Sequence, residues 1–307
     1  VFPEGDHEKV LRACQILVDE KIAHPILLGG EKEIREKVLN LGLDLHAIPV
    51  VDPAASPKRS AYIEELFCLR HRKGVSRGEA AELILNRNVF GSMMVHLGDA
   101  DGLISGLTQH YPDTIRPALQ LIKVRPDARK VSGLYVLIFK NRLLFLADTT
   151  VNIEPSAEDL AEIAIESAKV ARRFDVSPRI AMLSFSNFGS SRHPFAEKAR
   201  RAVEIIKERA PDLEVDGEMQ ADTAVRPEIA HEAYPFSAIQ GDANVLVFPD
   251  LQSANVAYKL LIALGGAEAI GPILMGLSRP VHVLQRGCDV SNIVNMAALA
   301  VVDAQEI

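Results

Sequence analysis

The chain has 307 residues, 34 Lys and Arg against 41 Asp and Glu, and 48% hydrophobic side chains, enough apolar material for a full core, which excludes low-complexity disorder. The formal net charge of −7 removes any overall electrostatic drive toward nucleic acid or an anionic membrane, although a local basic cluster can still take a small anion. Three separated cysteines, Cys14, Cys68 and Cys288, form no CxxC pair, which argues against a disulfide framework or thiolate zinc site and predicts a reducing compartment, the cytoplasm.

No apolar run approaches the roughly 18 residues needed to span a bilayer, and the N-terminus lacks the order of a signal peptide. The chain opens on Val1 rather than methionine, which predicts a segment of a longer polypeptide. Asp6 is positioned to cap a helix whose apolar residues Val10, Leu11, Cys14, Leu17 and Val18 recur at helical spacing. A buried strand and turn follow at 25–30, a helix at about 31–41, a strand at 47–51, helices over 57–72 and 76–87, and a strand near 92–96. Two apolar runs, 134–139 and 143–147, flank Lys140-Asn141-Arg142 at hairpin spacing. Alternation then resumes, with helices at 156–173, 194–210 and 253–264 and strands at 179–184, 213–219 and 244–248. The C-terminal stretch supplies apolar segments at 272–274 and 281–283 and a helix over 290–302.

This pattern predicts an α/β protein of two α/β subdomains with mostly parallel sheets and a ligand cleft between them. The first subdomain takes residues 1–132 plus 277–307, the second 133–276.

Ligands of such sheets sit beyond the carboxyl ends of strands, and four segments have suitable chemistry there. The glycine-rich stretch 98–106 reads as a loop after a strand, either a flexible turn or a cradle for an anionic ligand; it contains neither a P-loop nor a dinucleotide fingerprint. Thr114-Ile115-Arg116-Pro117 puts a guanidinium at the start of a helix, where it clamps phosphate or carboxylate or else pairs with Asp113 or Asp127. The 184–191 loop offers hydroxyls and backbone donors to phosphate groups, or is a polar loop ending in a helix cap. Residues 285–292 open the last helix, with Asp289 or Ser291 as its cap and Cys288 as a small buried side chain more readily than a nucleophile. The histidines show no metal-ligand spacing, so no metal is expected.

As a set these motifs resemble the phosphate acetyltransferase family over nearly the whole chain. The likeness runs from Phe2-Pro3-Glu4-Gly5 through Asp101-Gly102, Thr114 to Lys123, Ala147-Asp148-Thr149 with Val151-Asn152, Met182 to Ser186, Ala243 to Leu251, and Gly271 to Leu277, ending at Arg286-Gly287-Cys288. The resemblance implies transfer of acetyl between coenzyme A and phosphate, with an aspartate as base and arginines and a serine stabilising charge. Arg70, Arg116 and Arg286 match family arginines. Gln285 stands where a serine is expected, Ala263 replaces an arginine, and Asn292 stands at the base position. An amide has no usable basicity near neutral pH.

These three departures make the chain similar to the C-terminal, phosphotransacetylase-like region of bacterial hybrid NADP-dependent malic enzymes, as do Pro235-Phe236-Ser237 and Ser253-Ala254-Asn255. That resemblance implies a non-catalytic pseudoenzyme domain that binds acetyl-CoA as an allosteric effector through Arg70, Arg116, Ser184, Ser186, Gln285, Arg286 and Asn292. Its implied partners are an N-terminal malic enzyme domain and further copies of itself in a homo-oligomer, and NADP and a divalent metal belong only to the malic enzyme domain. The alternative is an active phosphate acetyltransferase with its base at another position, for which Asp289, three residues before Asn292, is a candidate.

Overall fold

The computed structural model describes residues 1–305, and the chain forms two compact units, Val1–Lys123 with Leu277–Ile307, and Val124–Gly276. The fold is mixed α/β with a mostly parallel sheet.

The first unit opens with α1 (Glu8–Asp19), whose buried face carries Val10, Leu11, Ala13, Cys14 and Leu17. Its cap is His7, which accepts from the Lys9 N–H at 3.1 Å; Asp6, the expected cap, instead pairs with Arg87 at 2.9 Å. β1 (Leu27–Leu28) runs parallel to β2 (Val50–Val51), with α2 (Glu31–Asn40) between them in sequence. Then come α3 (Arg59–Arg70) and α4 (Arg77–Leu83), the latter started by a reciprocal Ser76–Glu79 capping box. The strand expected near 92–96 is the second half of helix α5 (Arg87–His96). Every residue from Asn88 to Val95 is buried, and a helix covered on all sides has no polar stripe to give a period of 3.6, so a short apolar run within it reads as a strand. The 98–106 stretch therefore follows a helix and contains β3 (Leu103–Ser105). α6 (Tyr111–Leu121) follows.

The second unit begins with the hairpin β4 (Ser132–Phe139) and β5 (Arg142–Ala147), in register from Leu134 opposite Ala147 to Phe139 opposite Arg142. It continues through α7 (Ala157–Arg173), β6 (Arg179–Leu183), α8 (Pro194–Arg209), β7 (Glu214–Met219), the short helices α9 (Ala221–Val225) and α10 (Pro227–Ala233), β8 (Val245–Val247), α11 (Leu251–Ala263) and β9 (Glu268–Met275). Its strands lie in the order β9-β4-β5-β8-β6-β7, and β4 alone runs against its neighbours. Side chains alternate across the sheet. Tyr135, Leu137, Leu146, Leu183 and Leu246 join Ala254 and Tyr258 of α11 in one cluster, and Tyr135 stacks on Tyr258 at 4.4 Å. α7 and α8 pack on each other and on the strands. Burial on both faces explains why these strands read as continuous apolar runs.

The chain then returns to the first unit with β10 (Val281–Val283), parallel to β3, and α12 (Val290–Gln305), which packs on α1. Among the described residues no helix is long and apolar enough to cross a membrane.

Candidate active site

In the first unit β3 and β10 are parallel neighbours, so the segments after them, 106–110 and 284–289, leave the sheet side by side. Backbone bonds hold them together: Leu284 N–H donates to Ser105 C=O at 2.7 Å and Gly287 N–H to Leu107 C=O at 3.1 Å. At Gly106, with φ +116°, an added Cβ would lie 2.8 Å from Val283 Cγ1 and 3.0 Å from the Leu284 carbonyl. Only glycine permits that approach. The 106–110 segment is also fixed from beneath, because Ser105 Oγ donates to Asn88 Oδ1 at 2.7 Å and Asn88 Nδ2 to Gln109 Oε1 at 2.6 Å.

Arg286 lies in the second of these segments and Arg116 in α6, which packs on β10. Arg116 is in the second turn of α6, not at its start as expected. Both side chains are exposed, and among the described residues neither forms a hydrogen bond or ion pair. The surface pairing considered for Arg116 fails specifically: Asp127 is engaged by Arg125 and Lys169. Arg70, half-buried at the end of α3, is likewise unpaired among the described residues. Arginines that served as structural ties would show carboxylate or carbonyl partners.

Asp289 caps α12, accepting from the Asn292 N–H and the Ser291 hydroxyl at 2.9 Å each. These bonds stabilise the ionised form and hold the carboxyl below its ordinary range. Gln285 and Asn292 are half-buried beside it. Cys288 is half-buried and its thiol is pushed up to about 11 by burial, which fits a packing role better than a nucleophilic one. Lys9 Nζ donates to the carbonyls of Gly287 and Cys288 at 3.0 and 2.7 Å. Neither Lys9 nor Glu4, whose carboxylate meets the 106–108 backbone, stood out in the sequence; the Phe2-Pro3-Glu4-Gly5 motif was the available signal.

In the second unit a pocket of about 630 Å³ opens beyond the carboxyl ends of β6 and β8. Ser184, Phe185, Phe195, Lys198 and Phe248 are among its walls. Phe185 and Phe195 are 54% and 56% exposed and are joined through His193 by edge contacts of 5.8 and 4.9 Å, so two aromatic rings are held at a polar rim. Ser186, expected to face a ligand with Ser184, is fully buried. Its hydroxyl donates to Glu218 Oε1 at 3.0 Å, accepts from the Ser191 N–H at 3.0 Å and meets Ser190 Oγ at 3.1 Å, so its polar capacity goes to shaping the loop. Burial opposes ionisation of Glu218, but the Arg200 guanidinium, the Gly189 N–H and Ser186 outweigh it and leave the carboxyl below its usual range. Ala263 ends α11 on the exposed surface.

A profile of the phosphate acetyl/butaryl transferase family matches residues 1–301. The chain belongs to this family. It is 43% identical over 304 residues to the phosphate acetyltransferase of Bacillus subtilis, covering 99% of this chain and 94% of that protein. It is also 43% identical to the phosphate acetyltransferase of Nitratidesulfovibrio vulgaris, where the match spans 99% of this chain but 43% of the longer protein. The crystal structure of a phosphotransacetylase from Streptococcus pyogenes superposes with a TM-score of 0.95 at 40% identity, covering 100% of this chain and 93% of that one.

These relatives correct the expectation of a non-catalytic, acetyl-CoA-sensing module with a malic enzyme domain as partner and an oxidoreductase as its context. They carry the acetyltransferase name across essentially the whole chain, whereas the malic enzyme reading rested on a few substituted positions, Ala263, Gln285 and Asn292, and on short surface motifs. Of those three positions, Ala263 lies on an exposed helix end and Gln285 and Asn292 flank a carboxylate that is present.

Proposed function

We propose that the chain is a phosphate acetyltransferase that moves an acetyl group between acetyl phosphate and coenzyme A. The observation that carries this reading is the exposed pair Arg116 and Arg286, without a partner among the described residues, at adjoining elements beyond β3 and β10, in a member of this family. In the direction of thioester formation the coenzyme thiol gives up its proton and the sulfur bonds to the acetyl carbon. The carbon–oxygen bond to phosphate breaks, and phosphate leaves with the electron pair. Arg116 and Arg286 neutralise the phosphate and the charge growing on the carbonyl oxygen, the interactions that lower such a barrier most. Arg70 adds a further cation, and Gln285 offers an amide donor where its relatives are expected to use a hydroxyl.

The proton needs an acceptor. Asn292 cannot serve, so the role falls to Asp289, three residues earlier, exposed and ionised. A carboxylate held below its ordinary range is a weaker base than one tuned toward neutrality. In the second unit, the exposed faces of Phe185 and Phe195 suit a purine base and the Lys198 ammonium suits a phosphate, so that pocket suits a nucleotide, with Ser184 in its wall. The test is thioester formation from acetyl phosphate and coenzyme A. Thioester accumulating in proportion to protein supports the reading; accumulation no faster than in a protein-free control, with the protein shown to be folded, refutes it.

A further inference from the structure

We propose that Glu4 is a positioning residue for the arginine-bearing segments, acting as a built-in anion that fills the backbone nest after β3. Its side chain contacts neither Arg116 nor Arg286 by any hydrogen bond or ion pair, and the proposal concerns how those two are held. It rests on the reading of this region as the acetyl-transfer site.

Three successive backbone N–H groups, those of Gly106, Leu107 and Thr108, converge on the Glu4 carboxylate at 2.9, 2.9 and 2.7 Å, and the Thr108 hydroxyl donates to the same oxygen as its own N–H. Consecutive amides aimed inward make an anion-binding concavity. Here the protein supplies the anion itself, on a side chain only 6% exposed, from a residue more than a hundred positions earlier in the chain. Ordinary loop closure needs no such device. Four donors on one carboxylate fix the direction of the 106–108 backbone, and with it the Leu107 carbonyl, which accepts from Gly287 N–H at 3.1 Å. Gly287 follows Arg286 directly, so the path from Glu4 to that guanidinium is one backbone segment and one hydrogen bond.

Lys9, five residues after Glu4, holds the other side of the same segment through the Gly287 and Cys288 carbonyls. The stretch 4–9 thus ties down both segments with opposite charges, the carboxylate on amides and the ammonium on carbonyls. A filled nest also has a consequence for substrate. The 106–108 amides cannot compete for phosphate, which leaves the arginines as its receptors.

The experiment uses the whole chain as wild type, Glu4→Ala and Glu4→Gln, with and without formate, and with chloride at equal ionic strength as control. Glu4→Ala opens the nest to a small carboxylate. Glu4→Gln retains the shape but puts an NH₂ among donors. Amide hydrogen exchange should quicken about tenfold or more in peptides covering 105–110 and 284–289 in both variants, with α7 and α8 unchanged. Formate, not chloride, should reverse this in Glu4→Ala and not in Glu4→Gln. In turnover assays kcat should fall about 100-fold, a size typical of misplaced groups, with a smaller change in KM, and formate should restore part of it in Glu4→Ala alone. Unchanged exchange in both segments, or loosened segments with unchanged kcat, overturns the proposal. If wild type itself shows no turnover, the functional reading fails, and exchange with formate rescue still decides whether Glu4 fills the nest. If Glu4→Ala does not fold, Glu4→Gln against Glu4→Asp, which keeps the charge on a shorter arm, decides by the same exchange readout.

Discussion

Replacing Arg286 with alanine separates binding from folding, and Arg200→Ala is its counterpart. Arg286 is exposed and makes no hydrogen bond or ion pair among the described residues, so its truncation should change stability by no more than about 0.5 kcal/mol. Its proposed contact to a phosphate or carbonyl oxygen is charge-assisted, worth about 1.5–3 kcal/mol, which is roughly a 10- to 150-fold fall in kcat/KM for acetyl phosphate. Arg200 presents the reverse case. Its guanidinium donates to Glu218 at 3.0 Å, and the Glu218 side chain is 0% exposed while that of Arg200 is 43% exposed. Breaking a fully buried pair costs about 3–5 kcal/mol. Water can replace the exposed half of this pair, and Ser186 and Gly189 still bind the carboxylate, so the cost here is about 1–2 kcal/mol. For a domain of about 150 residues that is a fall of roughly 2–8 °C in Tm. Thermal unfolding paired with steady-state kinetics on both variants reads the two effects. An Arg286→Ala protein that loses stability as Arg200→Ala does, or that keeps wild-type kcat/KM, refutes the argument that an unpaired arginine here is held for substrate.

Asp289→Asn should lower kcat by about 10²- to 10⁴-fold; because the wild-type carboxyl lies below its ordinary range, kcat should show no acid limb from this group above about pH 4, and a limb centred near neutrality would assign the base elsewhere. Phe195→Ala should raise KM for coenzyme A about 5- to 10-fold with kcat held, from the loss of about 1 kcal/mol of ring stacking, and an unchanged KM would remove the nucleotide from this pocket. Glu218 is lowered from its ordinary 4.5, so it contributes stability that is present above that value and lost as pH falls through the folded one; the acid side of a Tm-against-pH curve should flatten in Arg200→Ala, and an unaltered slope would show that the pair does not set it. A thiol reagent at neutral pH should label exposed Cys68 first, Cys288 more slowly, and Cys14, buried with its thiol pushed up to about 12, only on unfolding; rapid labelling of Cys14 would contradict its burial.

The alternating elements were legible because each carries its own period: the α7 stripe, the β4–β5 hairpin at Lys140-Asn141 and the apolar β6 and β8 runs all stand where spacing puts them. α5 was not, because tertiary burial on every side erases the polar stripe that marks a helix. Of the site, Arg116 in a helix and Arg286 in a loop after a strand were legible as residue types, but what makes them candidates is the lack of a partner among the described residues, and partners are distant in sequence. Ser186 misled for the same reason. Its hydroxyl looked available beside a strand end until Glu218, 32 residues on, accounted for it. The departures at Gln285, Ala263 and Asn292 carried too much weight in the malic enzyme reading, since three positions do not outweigh a likeness to acetyltransferases that extends over essentially the whole chain.

Buried acids do a common structural job in both units. Asp148 accepts from the backbone N–H groups of Gly133, Thr150, Val151 and Asn152 at 2.9–3.1 Å, fixing the turn after β5. Glu218 accepts from Gly189 N–H and Ser186 Oγ, fixing the loop after β6. Glu4 does the same for the segment after β3. Loops beyond strand ends leave amides without sheet partners, and an unmet buried amide costs about 1–3 kcal/mol. A carboxylate meets several at once and, unlike water, cannot leave when substrate binds. The acids that order these loops are therefore part of the chain, and in the first unit the exposed Arg116 and Arg286 and the half-buried Arg70 have no acidic partner among the described residues. On the function proposed above, Glu4 does not compete with substrate for Arg286, because its carboxylate is already engaged by the backbone amides of 106–108.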